Sequence, residues 1–449
     1  MYRRLKVYGF ISLLLLSVAA YSFFNVDGNR DPDDLVAYFN QRARALTDSD
    51  DIDELIAAAG NKSLVLLGES THGTTEYYSL RSLISRRLID EKGFSYIAVE
   101  GDFAAIYRLN KYVKHMPGAA GSAREVLEQF NRWPIWMWAN EDIVELAEWM
   151  RNYNSEVDPS EMVGIYGMDV YGHLEAMIDL DDYVRENLPQ LSDRIEAKLL
   201  CFARFSDEQE YARAAAGGSV SCREELEAVT RLLEENEAAL IEICSDQYFR
   251  AVQNSFVARG AEAFYRQAPV DYNASWNSRA THMWHTVQRI AAHYGEDARG
   301  VVWAHNTHIG DARATAMGAE GMVNIGSLSR SEGDRDEVIA VGFGTYRGRV
   351  AAGSFWGSRM QIMDIPPGIE GSYENIFGNL DLPDFYLIFD DDDRANQALR
   401  EFRGHRAIGV VYNPAQEVGN YVPTVLPERY DAFIFIRETN ELVPVGRRR

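Results

Sequence analysis

The chain has 449 residues, of which 46% are hydrophobic and 12% aromatic. This composition is typical of a globular protein with a large core and excludes an intrinsically disordered one. The formal net charge of −23, from 68 acidic and 45 basic side chains, argues against a nucleic-acid surface or a face for anionic membranes. We therefore expect no nucleic-acid partner, and a small-molecule partner that is neutral or cationic.

The first 30 residues differ from the rest of the chain. Arg3, Arg4 and Lys6 precede the apolar run VYGFISLLLLSVAAYSFF, whose length suits either a cleaved signal peptide or a retained membrane anchor. By the positive-inside rule, both alternatives place the globular part outside the cytoplasm. The protein is therefore expected to be extracytoplasmic, and to meet a membrane only through residues 1–30, which end in a polar linker.

After residue 30, short β-branched runs alternate with helical patterns. Four of these runs have the apolar character of fully buried strands, and the helical stretches between them are typical of parallel β-α-β units. In chain order they are SLVLLGE, SYIAVEGD, MVGIYGMD and GVVWAHN. The C-terminal third adds four more strand-like runs that are predicted to complete the sheet, namely DEVIAVGFGTY, DFYLIFD, RAIGVVY and YDAFIFIRE.

A long helical section separates the third run from the fourth. It predicts a helical insertion lobe over residues 174–294, with an α/β core built from residues 31–173 and 295–449. The expected fold is α/β, with a mostly parallel central sheet flanked by helices and the lobe over the carboxyl edge of the strands. The three cysteines all fall in the lobe, where two of them can pair in an exported protein or all three can stay buried thiols. They are Cys201, Cys222 and Cys244.

The predicted strand ends carry most of the candidate functional residues. Ligands of open α/β sheets bind beyond the carboxyl ends of the parallel strands. A single acid there is commonly a helix cap, but three of only nine histidines converge on this edge, which favours a functional cluster. The residues are Glu69 and His72, then Glu100 and Asp102, then Asp169, and finally His305, Asn306 and His308.

Arg81 lies in the helical pattern that follows the first strand. Its spacing places it on the stripe that Tyr77 and Ile84 occupy, which predicts a guanidinium turned inward. A buried guanidinium requires a carboxylate partner, and Glu69 and Glu100 are both candidates. An arginine that extends to water from the margin of the stripe is the alternative.

These residue types suit a histidine that acts on water. The sequence has no GxSxG elbow, and its cysteines lie in the predicted lobe, so nucleophilic catalysis by serine or cysteine is not supported. His72 beside a carboxylate can accept a proton from water, and Arg81 or a second histidine can stabilise the oxyanion. Such a site requires no cofactor. The alternative is a zinc or manganese site, because His72, His305, His308 and Glu69 are also suitable metal ligands.

Several blocks of this sequence resemble the erythromycin esterase family. They include GESTHGTTEYYSLRSLISRRLIDEKGFSYIAVEGD, RWPIWMWANEDIVELAEWMRNYN, GIYGMDVY, VVWAHNTHIG, GSYENIF and RAIGVVYNP. The resemblance implies an α/β core, a helical lobe, and a cleft between them in which a histidine activates water to open a macrolactone ester. Carried over residue by residue, it assigns the base to His72, the neighbouring acid to Glu69, the arginine to Arg81, the second-strand glutamate to Glu100 and the later histidines to His305 and His308.

One stretch departs from the family pattern. NSRATHMWHT keeps Arg279 and Met283, but three positions differ where the family tends to have an acid, a small residue and an amide. We expect this difference to affect macrolide recognition more than hydrolysis. The three positions are Ala280, Trp284 and Thr286, and the additional histidines His282 and His285 are expected at solvent-facing helix positions.

Candidates for substrate contacts are the polar strand-end residues and a group of tryptophans. Trp133, Trp136 and Trp138 suit either an aromatic wall for a bulky substrate or core packing. Asp102, Asp169 and Asn306 are the polar candidates. Three functions stay open at this point: an esterase, a metal-dependent peptidase or amidase, and a non-catalytic module that binds haem or another small molecule.

Overall fold

The computed structural model describes residues 32–446 except 206 and 219. The predicted signal or anchor segment, residues 1–30, lies outside the described residues. Among the helices of the described range, none has both the length and the apolar character needed to cross a bilayer.

A large central sheet organises the described part of the chain. The strands of the described chain are β1 Arg44–Ala45, β2 Leu64–Leu67, β3 Tyr96–Asp102, β4 Gly164–Asp169, β5 Gly300–Trp303, β6 Val338–Gly353, β7 Met360–Ile365, β8 Asp384–Ile388, β9 Arg403–Arg406, β10 Tyr421–Thr424 and β11 Ala432–Thr439. Nine of them form the central sheet, in the order β1-β8-β11-β6-β2-β5-β3-β4 with β7 paired to β6, and β9 and β10 form a separate two-stranded sheet.

Neighbouring strands from β11 to β4 run parallel. Antiparallel pairing is confined to β1 with β8, β8 with β11, and β6 with β7 among the described strands of this sheet. The predicted α/β class with a mostly parallel sheet is therefore confirmed.

Helices cover both faces of the sheet. They are α1 Pro32–Asn40, α2 Asp53–Ala59, α3 Thr75–Lys92, α4 Phe103–Val113, α5 Ala123–Glu128, α6 Glu141–Asn154, α7 His173–Asn187, α8 Ser192–Ala203, α9 Glu208–Ala216, α10 Arg223–Glu234, α11 Glu237–Ile243, α12 Ser245–Gln267, α13 Tyr272–Tyr294, α14 Asn306–Ile309, α15 Ala316–Ala319, α16 Ile325–Glu332, α17 Tyr373–Gly378, α18 Asp391–Ala395 and α19 Leu426–Arg429. Short 3-10 turns lie at Ser49–Ile52, Ile135–Met137, Pro189–Leu191, Ala312–Ala314, Arg335–Glu337, Gln397–Leu399 and Pro414–Asn420.

The central strands are apolar up to their carboxyl ends because both faces of the sheet are covered. Successive side chains of a strand point to opposite faces. In β2, Val65 and Leu67 accordingly pack into one core while Leu64 and Leu66 pack into the other. Uninterrupted runs of this kind are characteristic of parallel strands with helices on both sides.

The section from α7 to α13 is helical, as its leucine spacing predicts. Helices α7 to α12 share a core of their own, which includes Leu180, Leu199 and Leu233. Helix α13 instead packs Met283 and Ile290 into the core over the sheet. The domain boundaries proposed from the sequence stay a prediction.

A disulfide lies inside this helical section. Cys201 and Cys222 are bonded to each other. Cys244 is half-buried and unpaired with any cysteine of the described chain. The first of the two alternatives that the sequence left open is thus the observed one.

The strand predicted over residues 406–412 is wrong. Regular pairing stops at Arg406, and the following residues make only isolated bridges, from Ile408 to Thr71 and from Val411 to Gly353. The run meets β6 only at Gly353, the last residue of that strand, so no regular pairing develops between them. The run passes over the carboxyl side of the sheet instead.

The loop after β2 lies against the backbone of β6 at Gly73. The carbonyl oxygen of Gly73 accepts hydrogen bonds from the amides of Ala351 and Leu442, both at 3.0 Å. A Cβ atom at this position would lie 1.9 Å from the carbonyl oxygen of Ala351. The loop that carries His72 can therefore approach the sheet this closely only with glycine at residue 73.

We predict that Gly73→Ala lowers the free energy of unfolding by about 1–3 kcal/mol, the usual cost of inserting atoms into a packed site. Chemical unfolding of the two proteins measures this difference. Gly409→Ala is the matched control, because a Cβ there meets nothing within 4 Å, and its effect should stay within about 0.5 kcal/mol. Equal stability of the two variants would contradict the assigned close approach.

Candidate active site

A cavity of about 480 Å³ lies beyond the carboxyl ends of strands β2 to β5. This is the position where open parallel sheets bind ligands. The side chains from four strand ends that line it are His72, Glu100, Asp102, Asp169, His305 and His308. Most of the residues predicted from the strand ends are therefore brought together.

His72 is held by a buried carboxylate. Its Nδ1 lies 2.8 Å from Oε1 of Glu69, and the second carboxylate oxygen, Oε2, accepts a hydrogen bond from Nη2 of Arg81 at 2.8 Å. Glu69 and Arg81 are both completely buried, whereas His72 lines the cavity. Nε2 of His72 has no hydrogen-bond partner within the described residues.

Arg81 is therefore the partner of Glu69, which resolves the choice that the sequence left between Glu69 and Glu100. Aromatic rings support its guanidinium: Cζ lies 4.4 Å from the ring centre of Tyr78 and 4.7 Å from that of Trp303. Arg81 does not line the cavity. It acts on the site by orienting Glu69 and cannot meet a substrate from this position.

The surroundings of His72 favour its charged form. Burial alone lowers the pKa of the imidazole, but the hydrogen bond and charge of Glu69, with the charge of Glu100, outweigh burial. The pKa of His72 is raised above its ordinary value. A carboxylate on Nδ1 also increases the ability of the ring to accept a proton at Nε2.

Arg279 connects strands β3 and β4 to helix α13. Its Nε and Nη2 donate to both carboxylate oxygens of Asp169, at 2.8 and 2.6 Å, and Nη2 also donates to Oε1 of Glu100 at 2.8 Å. Nη1 lies 3.1 Å from Nε2 of His308. Burial raises the pKa of both carboxyl groups. The charges of His308, His72 and Arg279 outweigh burial for Glu100, and the charge of Arg279 outweighs it for Asp169. Both acids consequently have a lowered pKa and are ionised.

His305 is arranged as a neutral hydrogen-bond donor. Burial and the nearby charge of His72 hold its pKa well below the ordinary value. Nδ1 accepts a hydrogen bond from the amide of Thr307, so the proton of the neutral ring sits on Nε2. Nε2 is buried without a partner in the described chain, and the ring centre lies 5.0 Å from that of His72.

Asp102 forms an ion pair with Arg132 at the edge of the cavity. Nε and Nη2 of Arg132 donate to the two carboxylate oxygens, so the contact is bidentate. Burial raises the pKa of Asp102 even though Arg132 opposes the shift. The ring centre of Tyr171 lies 4.8 Å from Cζ of Arg132 and 5.1 Å from Cζ of Arg279.

Three predicted substrate contacts are not among the residues that line the cavity. The amide of Asn306 is fully buried and bonds the backbone of Phe343, which ties the end of β5 to β6. Trp136 is a core residue, and Trp133 donates to the carbonyl oxygen of Ser358 at 2.9 Å. Their positions do not support the substrate contact that was predicted for them.

The aromatic lining comes largely from residues outside the predicted set. It consists of Phe130, Trp138, Tyr171, Tyr272, Trp276, Trp356 and Tyr421. Trp276 stacks on His308 with ring centres 4.7 Å apart and an interplanar angle of 8°. Its spacing of three residues from Arg279 is the signal that places both on one face of α13.

The metal alternative gains no geometric support. Among the described residues, no group of three or more histidine, cysteine, aspartate and glutamate side chains is arranged to hold a metal ion. Both carboxylate oxygens of Glu69 are engaged, one by His72 and one by Arg81. That the protein requires no metal stays a prediction, which an assay with chelator tests.

The chain has an α/β fold in which a histidine and buried carboxylates lie at the carboxyl ends of the parallel strands. A family model described as erythromycin esterase matches residues 89–439. The chain belongs to the erythromycin esterase family. The matched range begins after His72. The assignment of His72 and Glu69 to the site therefore rests on the GESTHG motif and on the geometry of the structure.

Solved structures share the fold. A succinoglycan biosynthesis protein is 21% identical, with a TM-score of 0.74 over 93% of this chain and 100% of that one. A protein from Bacillus cereus is 18% identical, with a TM-score of 0.76 over the same shares. A mutant of the erythromycin esterase EreC in its open conformation is 16% identical, with a TM-score of 0.66 over 90% of this chain and 99% of that one. At these identities the likeness establishes the fold.

We predict that Arg279→Met lowers the free energy of unfolding by about 3–5 kcal/mol, because it leaves Asp169 and Glu100 buried without their counter-charge. Chemical denaturation is the measurement. Arg124→Met serves as the control, since its ion pair with Glu141 is at the surface and should contribute less than about 1 kcal/mol. A loss no larger than that of the control would show that Arg279 is not the required counter-charge.

Proposed function

We propose that the protein hydrolyses a carboxylic ester, with His72 as the general base. The observation that carries this proposal is the position of His72, whose Nδ1 is bound to Glu69 while the ring lines the cavity. Nε2 is then the atom available to a water molecule. Arg81 supports the reaction indirectly, because it fixes the carboxylate that orients the ring.

The chemical step uses residues that already face one another. Neutral His72 accepts a proton from water at Nε2 as the water oxygen attacks the ester carbonyl carbon. The Nε2–H of His305 is the nearby donor that can stabilise the oxyanion. When the intermediate collapses, His72 returns the proton to the leaving alkoxide, so a cyclic ester opens to a hydroxy acid.

A bulky, largely apolar substrate such as a macrolactone suits the cavity. Its volume falls in the range of about 300–1,000 Å³ that drug-sized ligands occupy, and aromatic side chains supply much of its surface. Asp102 and Asp169 each form an ion pair with an arginine, so a substrate meets them as pairs without net charge. The protein is further proposed to work outside the cytoplasm, which the Cys201–Cys222 disulfide supports.

His72→Asn should lower kcat/KM by about 100- to 10,000-fold, the usual contribution of a general base. Mass spectrometry of macrolides, lactones, simple esters and peptides measures turnover, and a cyclic ester should gain the mass of one water. His115→Asn is the control, because His115 is exposed on the surface and remote from the cavity lining.

The same assay separates the competing functions. Ester turnover is expected to persist with chelator and to need no added zinc or manganese. Cleavage of peptides that depends on added metal would favour the metal-dependent peptidase or amidase. Absence of turnover together with a Soret band on adding haemin would favour the binding module and would overturn the proposed esterase.

The pH profile tests the protonation state of the base. Because the reaction requires neutral His72 and the pKa of His72 is raised, kcat/KM should increase with pH through a midpoint above the ordinary imidazole value of about 6.5. Glu100→Gln removes one charge that raises this pKa, so the midpoint should move to lower pH. A midpoint that is unchanged in this variant would exclude His72 as the titrating base.

A further inference from the structure

A second cavity lies inside the helical section, remote from the sheet edge. It has a volume of about 320 Å³ and is formed by facing surfaces of α10, α12 and α13. Four arginines and two glutamates of the described chain line it. The lining thus carries a net positive charge, although the whole chain has a formal charge of −23 and contains more acidic than basic side chains.

The two glutamates are each committed to one arginine. Glu227 accepts from Nε of Arg223 at 2.8 Å, and Glu262 accepts from Nε of Arg266 at 2.9 Å. Glu262 also accepts from the hydroxyl of Tyr211 at 2.6 Å. These two acids therefore balance two of the four arginines, and two guanidinium groups remain.

Arg259 and Arg289 are the arginines without an ion-paired acid; the charge of Arg259 acts on Glu227, whose ion pair is with Arg223. Neither forms an ion pair with any carboxylate within the described residues. Their guanidinium carbons lie 5.1 and 4.0 Å from the ring centre of Phe256, so one aromatic side chain holds both groups on the same wall of the cavity. Burial and the neighbouring positive charge of Arg259 lower the pKa of Arg289 to about 9. Both causes disfavour the charged form of this guanidinium.

Hydrogen bonds orient Arg289 without neutralising it. Nε donates to Oε1 of Gln253 at 2.7 Å, and Nη2 donates to Oγ1 of Thr286 at 2.9 Å. Both partners are uncharged and buried, so they fix the plane of the guanidinium. Nη1 has no partner in the part of the chain that the structure describes and is left for a ligand.

Histidines on α13 complete the polar lining. Gly260 lets α12 approach His282 closely, because a Cβ there would lie 2.4 Å from Nδ1 of His282. Burial and the charge of Arg289 lower the pKa of His282 to about 3, so this ring is neutral at pH 7 and contributes hydrogen bonds. His285, one turn further along α13, lines the same cavity.

We infer that this cavity binds a phosphate group, either as the free ion or carried by a small molecule, with Arg259 and Arg289 as its charged ligands. A tetrahedral oxyanion supplies the negative charge that the lining lacks, and its oxygens match the paired N–H groups of guanidinium. The volume leaves room for a small group attached to the phosphate. This site is independent of the proposed ester hydrolysis, because none of its residues lines the other cavity.

Calorimetric titration of the full chain with sodium phosphate tests the inference, at an ionic strength kept constant with sodium chloride. The wild-type chain should bind one phosphate, and Arg289→Gln and Arg259→Gln should each weaken binding at least tenfold. Arg185→Gln is the matched control, since it makes the same charge change at an exposed residue of α7 and should alter Kd less than twofold. No binding by the wild-type chain, or unchanged binding by both cavity variants, would overturn it.

Two further measurements complete the test. Phosphate should raise the melting temperature of the wild-type chain and raise that of Arg289→Gln less, whatever stability the variant loses with its hydrogen bonds to Gln253 and Thr286; an equal rise in both would count against the site. A phosphate monoester titrated in the same way identifies the source. Tighter binding of the monoester indicates a carried phosphate, and tighter binding of inorganic phosphate indicates the free ion.

Discussion

The buried ion pair between Arg81 and Glu69 is the constraint on which the rest of the site depends. Neither side chain reaches solvent, so each charge requires the other, and the carboxylate has only one oxygen left for His72. That oxygen fixes the orientation of the ring and leaves Nε2 as its available nitrogen. A helix of the core thereby controls a residue in a loop without any contact between Arg81 and a substrate.

The same principle explains how three parallel strands can end in acids at one edge. Carboxylates gathered in a poorly solvated cleft would repel one another and become protonated. Here Glu69 meets Arg81, Asp102 meets Arg132, and Asp169 and Glu100 share Arg279. Because Arg279 comes from α13, charge neutralisation also joins the helical section to the strand ends.

The two cavities differ in how their charges are balanced. Around the strand ends, each buried acid has an internal arginine, so a substrate meets a neutral surface with defined hydrogen-bond donors. In the helical section, Arg259 and Arg289 keep their charge without an internal acid. The first arrangement is suited to chemistry on an uncharged ester, and the second to retention of an anion.

The sequence by itself determined the class of fold, the strands from β2 to β5 and the edge at which His72, Glu100 and His305 meet, because each apolar run and the residues that follow it are local features of the chain. Pairing depends on distances between segments remote in the chain, so only the tertiary structure decided that Arg81 binds Glu69 and that Asn306 serves the sheet. The run 406–412 shows the limit most clearly. It has the composition of a strand, yet beyond Arg406 it makes only isolated bridges, because it meets β6 only at Gly353, the last residue of that strand.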